Sequence, residues 1–388
     1  MINFKKKNFG KVCKTNKMTE KKWFHINNAD EIDSPALLVY PERVKLNIQT
    51  AIKMVGDISR LRPHVKTHKC AEVVKLMMDA GIYKFKCATI AEAEMLGTCK
   101  AKDVLFAYQP LGPKLKRFIE LVKKYPGTQF SCLTDNLNSA REQSKAFSDA
   151  GLKIPVYIDL NVGMNRTGID PGDEALKLYA YCSSTAGMMI KGLHAYDGHI
   201  RNTDIAERKK NCDAAFSLTE DMAAKIASMG LGKPIIIAGG SPTFPIHCKR
   251  EEIECSPGTF VYWDRGYAVG CPEQEFIPAA VLLTRVVSLP GKEKICTDLG
   301  HKSVAAENEI TKRVFFPEFE MLEAIAQSEE HLVLENKTAQ QFAPGDVLYG
   351  IPYHICPTVA LYDSIKIVEH AAVVREWKNI ARDRKITI

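Results

Sequence analysis

Between residues 60 and 270, short apolar runs alternate with amphipathic, helix-like stretches, and this rhythm constrains the fold more than any single motif. The apolar runs lie at 61–65, 85–89, 104–108, 129–134, 156–160, 192–196, 235–238 and 252–257. Helix-like stretches at 71–80, 90–97, 113–125 and 203–229 fall between them. Eight strand-then-helix repeats are the pattern of a closed (β/α)8 barrel, with a parallel sheet inside and helices outside. A doubly wound open sheet repeats similarly, but no GxGxxG follows the first strand. After about residue 275 the texture changes. Runs at 279–289, 294–297, 331–334, 346–349 and 365–374 read as strands, with a short helix expected at 318–327. The expected fold is an α/β chain. A basic tail spans 1–22, a TIM-type barrel 34–275 and a β-rich domain 276–388, with 34–39 able to join either folded unit.

The charge of the chain narrows its partners. Its net charge is +7, yet residues 1–22 hold eight lysines against Glu20 alone, so residues 23–388 are formally neutral. The folded body therefore carries no nucleic-acid footprint. The tail lacks the apolar core of a secretory signal and reads as disordered, with Met18 an alternative start. No apolar run is long enough for a transmembrane helix. The 12 cysteines are scattered without a CxxC pair, and Cys87, Cys132 and Cys296 sit inside expected strands. Free buried thiols in a reducing compartment follow, and a cytoplasmic location is expected.

In a barrel of this kind the active site lies where strands end. The first strand runs into His64-Val65-Lys66-Thr67-His68-Lys69. A lysine there can form a Schiff base with a carbonyl cofactor. The fifth ends in NVGMNRTG, whose Arg166 can hold a carboxylate or orient a cofactor. The sixth ends in YDGH, where Tyr196 can lie along a cofactor ring and His199 can act as an acid or base. The seventh, a β-branched run, ends in Gly239-Gly240-Ser241, which suits a phosphate. In the β-rich domain His354-Ile355-Cys356 reads as extended, so His354 and Cys356 would share a side and could ligate one metal ion. Two ligands leave positions open for water or substrate, and the thiolate favours Zn²⁺ over Mn²⁺ or Mg²⁺.

Together these pieces resemble the D-threonine aldolase and D-serine dehydratase family of pyridoxal-phosphate enzymes, which share the alanine-racemase-like fold. The matching segments are SPAL at 34–37, RPHVKTHK at 62–69, the helix carrying Glu92 and Glu94, NVGMNRTG at 161–168, YDGH at 196–199, GGSPT at 239–243, SPGTFVYWD at 256–264 and HICPT at 354–358. The resemblance implies that Lys66 carries pyridoxal 5'-phosphate, with Lys69 the second choice. Arg166, Tyr196, Gly239, Gly240 and Ser241 would then bind the cofactor. It implies a divalent metal, Zn²⁺ or else Mn²⁺, on His354 and Cys356, with His199 near a substrate hydroxyl. It also implies a homodimer acting on small D-amino acids.

Two clues point to different reactions. YDGH is aldolase-like, whereas Cys356 stands where aldolases can carry an acid and is the dehydratase-like choice. Retro-aldol cleavage of D-threonine to glycine and an aldehyde is the leading expectation. Dehydration to a 2-oxo acid and ammonia is the alternative. A racemase would need a second base and no metal, and a non-catalytic cofactor carrier would not need the β-rich domain.

Overall fold

A β-branched run flanked by amphipathic stretches is realised here as seven parallel strands. The computed structural model describes residues 22–388. Strand β1, Ala36–Val39, comes first, and helix α1, Pro41–Val55, follows it. The parallel strands are β2 (Lys84–Cys87), β3 (Asp103–Phe106), β4 (Gln129–Thr134), β5 (Ile154–Leu160), β6 (Met188–Ala195), β7 (Ile235–Ala238) and β8 (Ile253–Cys255). They pair in sequence order. The helices between them are α2 (Ala71–Asp79), α3 (Ile90–Thr98), α4 (Pro113–Lys124), α5 (Leu137–Asp149), α6 (Asp173–Ser184) and α7 (Ile205–Ser228).

The expected first barrel strand is not a ladder strand. Residues 61–65 make only isolated bridges, Leu61 to Cys255 and His64 to Lys86. The amides of Arg62 and His64 nevertheless donate to Cys255 and Pro257, each at 2.9 Å, and Lys86 donates to Pro63 at 2.8 Å. This segment thus joins β8 to β2 and closes the barrel. Pro63 has no N–H to give, which interrupts a regular ladder.

The barrel interior is part apolar and part ionic. Leu105, Leu133, Tyr157 and Ile237 form one small cluster inside it. The buried Arg62 guanidinium reaches Asp103 at 2.7 Å and Glu254 at 2.6 Å, and Lys84 also pairs with Glu254. A buried arginine is tolerated because both its partners are anionic and fixed on strands β3 and β8.

The second unit is built on a sheet that takes in β1. Its strands are β9 (Ala280–Ser288), β10 (Lys294–Thr297), β11 (Val314–Phe315), β12 (Leu322–Gln327), β13 (Leu332–Asn336), β14 (Val347–Pro352), β15 (Ser364–Glu369) and β16 (Ala372–Lys378). Strand β1 runs antiparallel to β9 and parallel to β15, so residues 36–39 sit in this sheet rather than in the barrel.

Three local expectations are corrected. The helix expected at 318–327 is strand β12, paired with β13. Leu322 and Ala324 are buried while Glu323 and Ile325 face out, a period of two. The run 365–374 is two strands, because His370 and Ala371 both take positive φ, 51° and 57°, and turn the chain back. That is the two-residue hairpin geometry, made here without glycine. Finally, HICPT is not extended. Ile355–Val359 is a short helix with His354 before its first turn. Pro357 is accepted there because a first-turn residue has no helical hydrogen bond to lose.

Among the described residues the cysteines are free, and all but Cys99 and Cys356 are buried. No helix of the described residues is long and apolar enough to cross a membrane. The basic tail, apart from Lys22, lies outside the described residues.

Candidate active site

The strand ends surround a cavity of about 590 Å³, whose lining includes His64, Lys66, Lys86, Arg166, His194 and Tyr196. Lys66 enters it directly after the barrel-closing segment, and its amide donates to His64 Nδ1 at 3.2 Å. Lys69 is committed elsewhere. It has φ +51° and its ammonium is paired with the fully buried Glu92. Of the two lysines, Lys66 is therefore the one left to meet a ligand.

Tyr196 is the hub of the cavity. Lys66 Nζ and Lys86 Nζ each lie 5.7 Å from its ring centroid, and the Arg166 guanidinium carbon lies 4.9 Å from it. Three basic side chains around one aromatic ring make a pocket that favours an anion. Burial, with the charges of Lys66 and Lys86, holds the His64 imidazole well below its usual range. Asp159 on β5 and His194 on β6 are bonded at 2.6 Å in the barrel interior, so this carboxylate is already partnered.

The turns after β7 and β8 form one cradle. Ser241 Oγ accepts from the amides of Gly258, at 3.2 Å, and Thr259, at 3.1 Å. Ser256 Oγ is buried without a partner. A Cβ on Gly258 would meet His64 O at 3.0 Å, so a larger residue would crowd the cradle at this contact. A buried hydroxyl with no partner, beside a second serine, fits a phosphate that completes it.

The β-rich unit leans over the cradle through the 354–358 turn. Asp264 Oδ2 accepts from the Ile355 amide at 2.9 Å, and the Gly266 amide donates to Tyr353 O at 3.1 Å. This brings Cys356 Sγ to 3.2 Å from Thr67 Oγ1 and 3.6 Å from Thr259 Oγ1. Burial pushes the Cys356 thiol up, but His354, Lys66 and Thr67 outweigh it and hold the thiol below its usual range. His354 is opposed by burial, yet Cys356 and Glu307 raise it to about 9. Glu307 bonds His354 Nδ1, so Nε2 is the nitrogen that could meet a metal ion. The imidazole and thiol thus meet from a helix cap rather than from one side of a strand. Their donor set suits a soft divalent ion with open positions.

Comparison with known proteins agrees with the two-unit architecture. The alanine racemase N-terminal domain matches residues 39–266, and the putative serine dehydratase domain matches residues 279–368. The chain belongs to the alanine racemase-like family. It is 26% identical over 360 residues to a D-threonine aldolase of Arthrobacter sp, covering 90% of this chain and 93% of the relative. It is 23% identical over 383 residues to a D-threo-3-hydroxyaspartate dehydratase of Delftia sp. (strain HT23), covering 90% and 97%. Its fold matches the crystal structure of D-threonine aldolase from Filomicrobium marinum. That match has a TM-score of 0.84 and 26% identity, over 92% of this chain and 98% of that one.

The alanine racemase-like frame accounts for the barrel and the strand-rich unit, but the structure does not bring every expected residue to the Lys66 cavity. His199 is exposed and packs over Gly163, where an added Cβ would lie 2.9 Å from its Nε2. It lines a separate surface hollow with Val162, Ile200 and Asn202, not the Lys66 cavity. The tight turn after Asp197 carries it there, which strand-end counting does not reveal. Gly239 and Gly240 also act indirectly. The Gly240 amide is bound to Thr243 Oγ1 at 3.2 Å, and Thr243 donates to Asp197 at 2.8 Å.

Asp197, Cys212 and His247 stand close enough to hold a metal. Arg250 instead donates to His247 Nδ1 at 2.7 Å, which makes Nε2 the donor to Asp197 at 2.8 Å. Every atom of that group then has a protein partner, and the network serves to pin the 239–243 turn. Sequence reasoning missed this network, and it missed Lys86 and the Asp159–His194 pair.

Proposed function

We propose that the protein is a lyase for D-3-hydroxy amino acids that uses pyridoxal phosphate and a divalent metal, and that it eliminates the β-hydroxyl. The observation that carries this reading is the approach of Cys356 to the segment that carries Lys66. The thiol sits 3.2 Å from Thr67 Oγ1, one residue past Lys66, and feels the Lys66 charge. The residues present fit the cofactor. Lys66 would bond it, Tyr196 would lie beside its ring, and the Ser241, Ser256 and Gly258 cradle would hold its phosphate. Bound there, pyridoxal phosphate would supply an electron sink for charge at Cα. His354 and Cys356 would hold the metal, with Zn²⁺ preferred by the thiolate, and it would favour departure of the hydroxyl. The Lys66 amine would be the base placed to take the Cα proton. Arg166 would hold the α-carboxylate. The hydroxyl would leave as water, and the released enamine, through its imine tautomer, would take up one water to give a 2-oxo acid and ammonia.

Retro-aldol cleavage is the second reading, favoured by the D-threonine aldolase relatives. It needs a base at the hydroxyl. His199 is its candidate, and the placement of that imidazole over Gly163 is the observation against it.

The test is to supply purified protein with pyridoxal phosphate and Zn²⁺, then D-serine, D-threonine and D-3-hydroxyaspartate in turn. Release of 2-oxo acid and ammonia, abolished by a chelator and by Lys66→Ala, is the expected result. Glycine with an aldehyde would move the assignment to the aldolase. No product from any of the three would end the lyase reading.

A further inference from the structure

Lys86 is the member of the cavity that this chemistry leaves unused. It lies on β2 with 2% exposure, and its side chain reaches the cavity beside Tyr196. Three other cations of this part of the barrel are matched. Lys69 pairs with Glu92, Lys84 with Glu254, and Arg62 with both Asp103 and Glu254. Among the described residues no carboxylate oxygen lies within 4.0 Å of the Lys86 Nζ. Asp159, inside the same barrel, is bonded to His194 instead. A buried ammonium without an anion is costly, and here it also faces Lys66 and Arg166 around one ring. Such a group is retained when a ligand supplies the missing charge. With Arg166 at the exposed lip and Lys86 at the buried wall, the cavity offers two separate cationic points.

We infer that Lys86 and Arg166 form a two-point carboxylate site, so that the preferred substrate is a 3-hydroxy amino acid carrying a second acid group on Cβ. The inference rests on the lyase reading for its substrate class, though not for the anion site itself. The acid at Lys86 would be desolvated and paired with the ammonium, which its charge would keep protonated, whereas a methyl or hydrogen there would leave the ammonium unmatched. Discrimination of that kind exceeds what an extra methyl contact provides.

The holoenzyme tests this, as wild type, Lys86→Met and Lys86→Gln. The first readout is the ratio of kcat/KM for D-3-hydroxyaspartate to that for D-threonine, whichever products form. The ratio should favour the diacid in wild type. It should fall about 30- to 3,000-fold in both variants, the range for removing one partner of a buried charge pair. The second readout is calorimetric binding of succinate against propionate, neither of which can react. Wild type should bind succinate more tightly, and the variants should lose the difference. A wild-type preference for D-threonine, or a ratio unchanged within a few-fold in the variants, would overturn the inference. So would loss of bound cofactor in the variants, because Lys86 would then serve the cofactor. If wild type turns over neither substrate, the lyase reading fails, and the succinate–propionate difference alone decides the role of Lys86.

Discussion

A lysine kept inside a barrel without an anion leaves a mark on stability as well as on binding. Burial lowers the Lys86 ammonium from its ordinary 10.5 to about 7, and the charge of Lys66 adds to this while Asp159 and Asp197 oppose it. The other charged or titratable groups around it are His64 and Arg62 on the closing segment, His194 on β6, and Arg166 at the lip. Between about pH 7 and 10.5 the unfolded chain holds a proton on this residue that the folded chain does not. Stability contributed by this group therefore rises with pH through that window and is lowest below it. Lys86→Met should remove the slope. In paired thermal melts without ligand, the variant should be the more stable near pH 6, and the gap should close toward pH 10. Parallel curves would show that the ammonium is not strained. Lys66 permits an equally local test. Borohydride reduction of the cofactor-loaded protein should leave a pyridoxyl group on Lys66 by peptide mapping. Lys66→Ala should lose it, while Lys69 stays unmodified because its amine is held by Glu92.

At the scale of elements, the 239–243 turn shows how a site is held by residues that never face the ligand. Thr243 accepts from Gly240 and donates to Asp197, which His247 also contacts. Thr243→Val would leave the half-buried Gly240 amide and a buried Asp197 carboxylate oxygen unmatched, a loss of roughly 1–3 kcal/mol. Pyridoxal phosphate affinity, followed by absorbance titration, should weaken about tenfold or more. An unchanged affinity would mean the turn is rigid without this network.

Much of the barrel was legible because β-branched runs such as 235–238 and amphipathic stretches such as 113–125 carry their periods in local sequence. Lys86 was not. In Lys84-Phe85-Lys86-Cys87 the alternation suggests lysines facing water. In a closed barrel the face away from the helices is the interior, and Phe85 and Cys87 are the residues that pack toward the helical layer. The His354–Cys356 pair was legible as a pair, but its geometry was not, since Pro357 reads as a helix breaker until its first-turn position is known. His199 shows the opposite failure. Its place after a strand was read correctly, and the turn that directs it to the surface was not.

The whole molecule depends on contacts that carry the second unit back onto the barrel, since the proposed metal ligands and the proposed cofactor lysine belong to different units. One such contact lies far from the site. Glu94 on α3 is fully buried, and it accepts from the amides of Thr387, at 3.1 Å, and Ile388, at 3.2 Å, as well as from the Thr387 hydroxyl. Arg117 on α4 donates to the Ile388 carbonyl oxygen at 2.7 Å. Deleting Thr387 and Ile388 would leave Glu94 with only Lys124 and Tyr125 as partners. The loss of those hydrogen bonds to a buried carboxylate should cost roughly 1–3 kcal/mol. Burial pushes the Glu94 carboxyl up, but the bonds from Thr387, Ile388 and Lys124 outweigh it and hold it below its ordinary 4.5. A depressed carboxylate stabilises the fold above its unfolded pKa and ceases to do so as pH falls below it. The truncated chain should therefore melt several degrees lower than the full chain at pH 7, with the difference shrinking at pH 4 and below. Because α3 and α4 pack behind β2 and β3, the deletion should leave the borohydride-trapped adduct on Lys66 intact at temperatures below the melt. Loss of that adduct in a still-folded truncated protein would show that the C-terminal contact sets the geometry of the mouth as well as its stability.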